Sequence, residues 1–274
     1  MKFRFFEFED KAWLPDTIRD GMTDYLRFIF NSGNFYEPVS PLIVQLFQHT
    51  GSKQVIDLCS GGGGTVERIQ KNIQEKYQQR VPFVLTDKFP NINAYEFIQK
   101  KTGGKITYFS LPVNAAQVDP SLIGVRTIFS AFHHFDQQDA TQVINDAVSS
   151  KEGIGIFDGG NKSIFFILAI IFLHPIAFFL FTPFLRPFKW SRLLFTYLIP
   201  VIPLCTIWDG IISVTKLYNP QQLLSMATSI NNIDYCWQAG KEKNKFGMQI
   251  TFLLGYPVIK NKEAVEEHFK QREK

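Results

Sequence analysis

A buried-strand pattern that runs straight into four consecutive glycines and then into helix formers, Val55–Ile69 (VIDLCSGGGGTVERI), leaves this chain few folds to choose from. Glycines without Cβ atoms let the main chain turn sharply and let a ligand come close to it, while the first N–H groups of the next helix point at whatever sits there. The stretch therefore predicts a strand, a tight turn and a helix around a nucleotide-like ligand. The same alternation continues along the chain. Strands are expected at QVIDLCS, VPFVLTD, KITYFSLPVNA, VRTIFSAF and GIGIFDGG, and helices from about Thr65 to Gln78, across NINAYEFIQKK and from about Gln137 to Ser149. Strand and helix in alternation imply right-handed βαβ units and a parallel sheet covered on both faces.

Near the C-terminus, NPQQLLSMATSI reads as a helix with Asn219 as N-cap and Pro220 at its first position. After it, IDYCWQAGKEKNKFGMQITFLLGYPV gives two β runs joined by a polar loop, a hairpin. The charged end, Lys260–Lys274, is expected to fray.

Composition narrows the function classes. A net charge of +4 over 274 residues, with no run of lysine or arginine, argues against nucleic acid as a partner. Three cysteines, Cys59, Cys205 and Cys236, show no paired spacing, so they suggest neither a disulfide framework nor a zinc site; no metal is expected, and a reducing, cytoplasmic compartment fits. The first residues, MKFRFFEFEDKAW, interleave charges with aromatics and lack the apolar run of an export signal.

A dinucleotide fingerprint G-x-G-x-x-G started at Gly61 or Gly62 would end on Val66 or Glu67, so a nicotinamide cofactor is excluded. An acid followed by glycines at alternate positions after the first strand instead resembles the first motif of class I S-adenosylmethionine-dependent methyltransferases. Asp57, Gly61 and Gly63 match it, while Cys59 stands where that pattern prefers a glycine. The resemblance covers roughly Pro41 to Asn161 and Ile211 to Val258. It implies a Rossmann-like α/β fold: a mostly parallel seven-stranded sheet with helices on both faces, an antiparallel last strand and an apolar helical insertion after strand five. The cofactor it implies is S-adenosyl-L-methionine, held by Asp57, Cys59, Gly61, Gly63, Asp87, Lys88, Asn114, Ala115 and Ser130. Among these, Asp87 would accept hydrogen bonds from ribose hydroxyls, and Asn114 and Ala115 would flank the adenine. A tight βα connection with no ligand, and an unrelated aspartate ending a strand, are the plainer alternatives.

Methyl transfer from a sulfonium needs no metal and no covalent nucleophile; a base helps where the acceptor is a hydroxyl or amine. His133 and His134, in SAFHHF after the fourth strand, and Asp158, ending the fifth, are the candidates, with packing or helix capping as the alternative role for a histidine. The N-terminal helix brings Arg19, Asp24, Tyr25 and Arg27, and the segment after it Tyr36, as either a lid on the cofactor or a simple covering layer.

Many of the 28 phenylalanines crowd into Ile164–Trp208, whose formal charges are Arg186, Lys189 and Arg192 and which five prolines interrupt. Two full membrane spans would put this basic turn outside, against the positive-inside tendency. A hairpin lying in one leaflet, with the basic turn and Trp190 at the headgroups, avoids that conflict; a buried layer lining an apolar pocket is the alternative. The division expected is residues 1–40 as cap helices, 41–163 and 209–260 as the catalytic domain, and 164–208 as the insertion. The reading is a methyltransferase for a lipophilic small molecule or lipid, cytoplasmic and peripheral or monotopic on the inner membrane face, with its oligomeric state open. An aminopropyl transferase would want clustered acids near the fourth strand that the sequence lacks. A non-catalytic cofactor-binding or membrane-associated scaffold protein is the rival from another class.

Overall fold

The computed structural model describes residues 5–230 and 234–258, so the frayed end expected at Lys260–Lys274 lies outside the described residues. Seven strands form one sheet: β1 (Val55–Leu58), β2 (Phe83–Leu85), β3 (Ile106–Tyr108), β4 (Val125–Phe129), β5 (Ile154–Gly159), β6 (Tyr235–Lys243) and β7 (Gln249–Pro257). Their order is β3-β2-β1-β4-β5-β7-β6. The first five run parallel, and β7 enters antiparallel between β5 and β6. This is the architecture expected from the resemblance, including the hairpin at the end.

Alternation of side chains along each strand divides the core in two. Val55, Val125, Phe129 and Phe157 face the helices α2 (Ser40–Thr50), α3 (Val66–Tyr77) and α4 (Ile92–Lys101). Their neighbours Ile56, Ile128 and Ile156 face α5 (Gln137–Ser149) and α9 (Pro220–Ser229). The helix starts follow capping chemistry. Asp136 accepts the N–H groups of Gln138 and Asp139, and Asn219 forms a capping box with Gln222.

Two strands stop earlier than the sequence pattern suggests. β3 ends at Tyr108 rather than reaching Ala115: Phe109 N–H still donates to the Leu85 carbonyl at 3.0 Å, Pro112 has no N–H to extend a ladder, and Val113 N–H reaches the Asp87 carbonyl, past the end of β2, at 2.8 Å. β4 ends at Phe129, where Ser130 turns to a φ of 49° and the chain enters a short 3-10 turn, Phe132–His134.

A third layer lies beyond the sheet. The N-terminal α1 (Asp16–Gly33) packs with α6 (Ile164–Phe181) and α8 (Val201–Lys216), the short α7 (Trp190–Leu193) joining the last two; Ile18, Met22, Tyr25, Phe178, Leu185 and Ile202 form its core. Gly21 makes the α1–α8 approach possible, for a Cβ there would meet Ile202 Cδ1 at 2.4 Å. The expected boundary between Trp208 and Asp209 thus falls inside α8, and cap and insertion share one core.

The basic turn is not turned outward as expected. Lys189 Nζ lies 2.8 Å from Asp20 on α1, and Arg192, 2% exposed, pairs with Asp24. Arg186 alone of the three is exposed. The apolar surface is as large as the composition implies: Phe165 is 79% exposed, and Phe172, Leu173, Ile176 and Leu180 are exposed beside it. Among the described residues, Ile164–Phe184 is long and apolar enough to cross a membrane, and Trp190–Leu198 with Val201–Lys216, bent by 76° at their break, passes only as a pair.

Candidate cofactor cleft and its acidic end

Strands β1 and β4 lie side by side, but the chain leaves them for opposite edges of the sheet. In open parallel sheets that divergence opens a crevice beyond the carboxyl ends of the strands. A cleft of about 500 Å³ is found there, bordered by Cys59 and Gly61 after β1, Asp87 and Lys88 after β2, Asn114 and Ala115 after β3, and His134 after β4. Its volume suits a small organic ligand.

The glycine loop divides its labour. Cys59 has a φ of 57° and Gly61 a φ of 53°, both left-handed, which gives the physical reason why a glycine is favoured at position 59. Gly61 faces the cleft. The next two glycines serve packing. A Cβ on Gly62 would lie 2.8 Å from the Thr23 carbonyl oxygen of α1, and one on Gly63 would lie 2.3 Å from Ile98 Cδ1 of α4. Much of the bareness of this loop therefore admits two helices rather than a ligand.

Asp87 ties the loop to β2: its Oδ2 accepts the Gly61 N–H at 2.7 Å and its Oδ1 the Phe89 N–H at 2.8 Å. Burial pushes its carboxyl up, and the two N–H groups and Arg19 oppose that. Each oxygen keeps a second lone pair, so the carboxylate can still receive two neighbouring hydroxyls. The residues present thus fit a ribose beside Gly61. Asn114, exposed, accepts the Ala116 N–H with its own side chain at 3.0 Å, and Ala115 is buried next to it.

Asp57, Gly63, Ser130, His133 and Asp158 stand behind the wall. Asp57 accepts hydroxyl hydrogens from Thr127 at 2.7 Å and Ser60 at 2.6 Å, and burial pushes its carboxyl up to about 7 against those two bonds. It props the glycine turn from beneath. Ser130 Oγ bonds Tyr36 Oη, which also accepts the Gly159 N–H at 3.0 Å. Tyr36 is thereby a strut between the ends of β4 and β5, not a lid. Asp158 accepts the Phe132 N–H at 3.3 Å, and its Oδ2 lies 3.3 Å from His133 Nδ1.

Residues before α1 complete the cleft. The backbone N–H groups of Phe8 and Glu9 donate to the two oxygens of Asp209 on α8, at 2.7 and 3.0 Å, and Trp208 Nε1 donates to the Phe6 carbonyl at 3.0 Å. Arg19 reaches back to the carbonyls of Glu9 and Lys11, at 3.2 and 2.6 Å. So fixed, this strap brings Glu7, Glu9 and Asp10 to the histidines. His134 Nδ1 lies 2.9 Å from Asp10 Oδ1, and its Nε2 lies 3.3 Å from Glu9 Oε1 and 3.4 Å from Glu7 Oε2. Burial opposes the charge of His134, yet the carboxylates of Glu7, Asp10 and Glu9 outweigh it and raise the imidazole to about 10. Burial, with Asp209, Glu7 and Asp10 nearby, pushes Glu9 up to about 8 despite His134.

The strap residues and their anchors, Glu7, Glu9, Asp10, Asp209 and Lys216, escaped the reading of the sequence. The one available signal was the alternation in FEFED, with acids at every second position among aromatics, the pattern of an extended segment with one apolar and one acidic side.

No protein-family model and no curated protein matches the sequence. Solved structures do resemble the fold. A SAM-dependent methyltransferase from Aquifex aeolicus is 9% identical, with 86% of this chain and 97% of that one aligned at a TM-score of 0.48. LepI in complex with SAM is 15% identical over 79% of this chain and 46% of that one, at 0.46, and the mitomycin 7-O-methyltransferase MmcR is 11% identical over 80% and 52%, at 0.42. Likeness of this extent fixes neither the activity of this chain nor its substrate.

Proposed function

We propose that this chain is an S-adenosylmethionine-dependent methyltransferase acting on a lipophilic small molecule or lipid. The observation that carries the reading is the cleft at the β1/β4 divergence, where Gly61 and the doubly anchored Asp87 offer a bare backbone beside an acceptor for paired hydroxyls. When bound, the cofactor supplies a methyl group made electrophilic by its sulfonium. The work left to the protein is orientation and exclusion of water. Asp87 holds the ribose end, Ala115 leaves room for a flat ring, and α1 with the strap roofs the cleft through Arg19, Asp20 and Glu9. Of the three candidate catalytic residues, His134 borders the cleft, while His133 and Asp158 stand behind it.

The apolar character of the acceptor rests on α6, whose exposed Phe165, Phe172 and Leu173 form part of a surface that suits the acyl region of a bilayer. Two features differ from a simple electrostatic anchor: Lys189 and Arg192 are engaged with α1, so attachment depends on apolar burial rather than on the basic turn. Incubating the chain with methyl-labelled S-adenosylmethionine and a lipid extract should put one labelled methyl on an extractable compound, read by mass spectrometry. Sedimentation with phosphatidylglycerol/phosphatidylcholine vesicles should carry down the unaltered protein but at least tenfold less of the F165S/F172S/L173S variant, each side chain giving up about 1 kcal/mol or more of burial. Protein that stays wholly in the supernatant contradicts the membrane part, and unlabelled extracts with intact cofactor binding contradict the lipid acceptor.

A further inference from the structure

Behind the cleft, one acid and two histidines converge. Glu7, His133 and His134 each offer one ligand atom, and these atoms all lie within 4.8 Å of one another, with Glu7 fully buried and His133 4% exposed. The separations are informative. Glu7 Oε2 is 3.4 Å from His134 Nε2 and 3.9 Å from His133 Nε2. Both are longer than an ordinary hydrogen bond; the first matches the roughly 3.4 Å edge between ligands that sit about 2.0–2.1 Å from a tetrahedral cation, and the second is about 0.5 Å wider.

The atoms facing away from that point are each engaged by a second partner. Glu7 Oε1 lies 2.7 Å from Lys216 Nζ. His133 Nδ1 lies 3.3 Å from Asp158 Oδ2, and His134 Nδ1 lies 2.9 Å from Asp10 Oδ1. A carboxylate on the far nitrogen of each histidine is the arrangement that fixes the ring and its tautomer when the near nitrogen binds a metal. Ser213 Oγ, 2.8 Å from Glu7 Oε2, orients the carboxylate further.

We propose that Glu7, His133 and His134 form a binding site for one first-row divalent cation, best matched by Zn²⁺, with Asp158 and Asp10 as the positioning carboxylates. Two imidazoles and one carboxylate suit zinc, and three protein ligands leave a position open to an outside oxygen. That position adjoins the cleft, because His134 borders it and Glu9 approaches the same nitrogen from the cleft wall, 3.3 Å away. The site stands whether or not the cleft transfers methyl groups. If it does, the cation offers a Lewis acid for the acceptor's oxygen.

The test uses the full chain, stripped with chelator and titrated with zinc chloride in a calorimeter, with bound metal counted by elemental mass spectrometry after gel filtration. One zinc per chain is expected. E7Q and H134A should weaken binding at least a hundredfold, and D158N ten- to a hundredfold as an outer partner. Cobalt(II) loaded into the unaltered protein should show the intense visible absorption of four- or five-coordinate cobalt, a readout that does not depend on how the variants fold. Failure of the unaltered protein to retain zinc, equal retention by E7Q and H134A, or a cobalt spectrum like that of the aqueous ion would each reduce the cluster to buried ion pairs.

Discussion

Asp209, in α8, holds Glu9 across 200 residues of chain: one carboxylate oxygen receives the Glu9 N–H at 3.0 Å and the other the Phe8 N–H at 2.7 Å. The insertion after β5 therefore does more than present apolar surface. It anchors the strap that closes the acidic end of the cleft, and so couples the apolar outer layer to the site.

Removal of that anchor has a local readout. D209A should cost about 1.5–3 kcal/mol, the range for hydrogen bonds to a charged group, and should speed amide hydrogen exchange at Phe8 and Glu9 while leaving β1 and β4 protected. Unchanged protection at both amides would mean that Trp208 and Arg19 suffice to hold the strap.

The packing role of the glycine loop is separable from any ligand. Gly63 has a φ of 99° and a Cβ there would meet Ile98 Cδ1 at 2.3 Å, whereas Gly104, at φ 80°, has nothing within 4 Å of a would-be Cβ. G104A should cost about 1 kcal/mol for backbone strain alone, and G63A roughly 1–3 kcal/mol more. In G63A/I98V the offending methyl is gone, and part of the loss should return. Denaturant unfolding of the four proteins decides it; equal midpoints for G63A and G104A would overturn the packing account.

Asp57 carries a pH signature. Its folded value, about 7, lies above the ordinary 3.8, so the protonated carboxyl is the form the fold prefers. Stability from this group is complete below about pH 4 and is lost as pH rises through about 7. The rise corresponds to at most about 4 kcal/mol. Relative to D57N, which stays neutral, the unaltered protein should lose stability between pH 4 and 7 in urea titrations. A difference that stays flat over that range would show the carboxylate to be satisfied as an anion by Thr127 and Ser60.

What the sequence disclosed and what it hid divide along physical lines. Strands β1, β4 and β5 are buried on both faces, so their runs of apolar residues stood out, and the caps at Asp136 and Asn219 are local chemistry readable over three residues. The placement of Asp87 beside Gly61 followed from the register of consecutive βα units. The strap was hidden because its partners, Asp209 and Lys216, lie about 200 residues away. The insertion limit expected between Trp208 and Asp209 falls within α8 for a related reason: Asp209 looks like the return of a polar segment, but it is buried, its charge satisfied by two backbone N–H groups. The inward turn of Lys189 and Arg192 likewise depended on Asp20 and Asp24 of α1, a tertiary pairing with no local trace.

The central claim is that the glycine turn and Asp87 hold S-adenosylmethionine, and calorimetric titration of the unaltered chain and of D87A with that molecule tests it most directly. Loss of hydrogen bonds to a charged acceptor is worth about 1.5–3 kcal/mol, so saturable one-to-one binding should weaken roughly ten- to a hundredfold in D87A. No saturable binding by the unaltered chain, or equal affinity in the two proteins, would contradict the account.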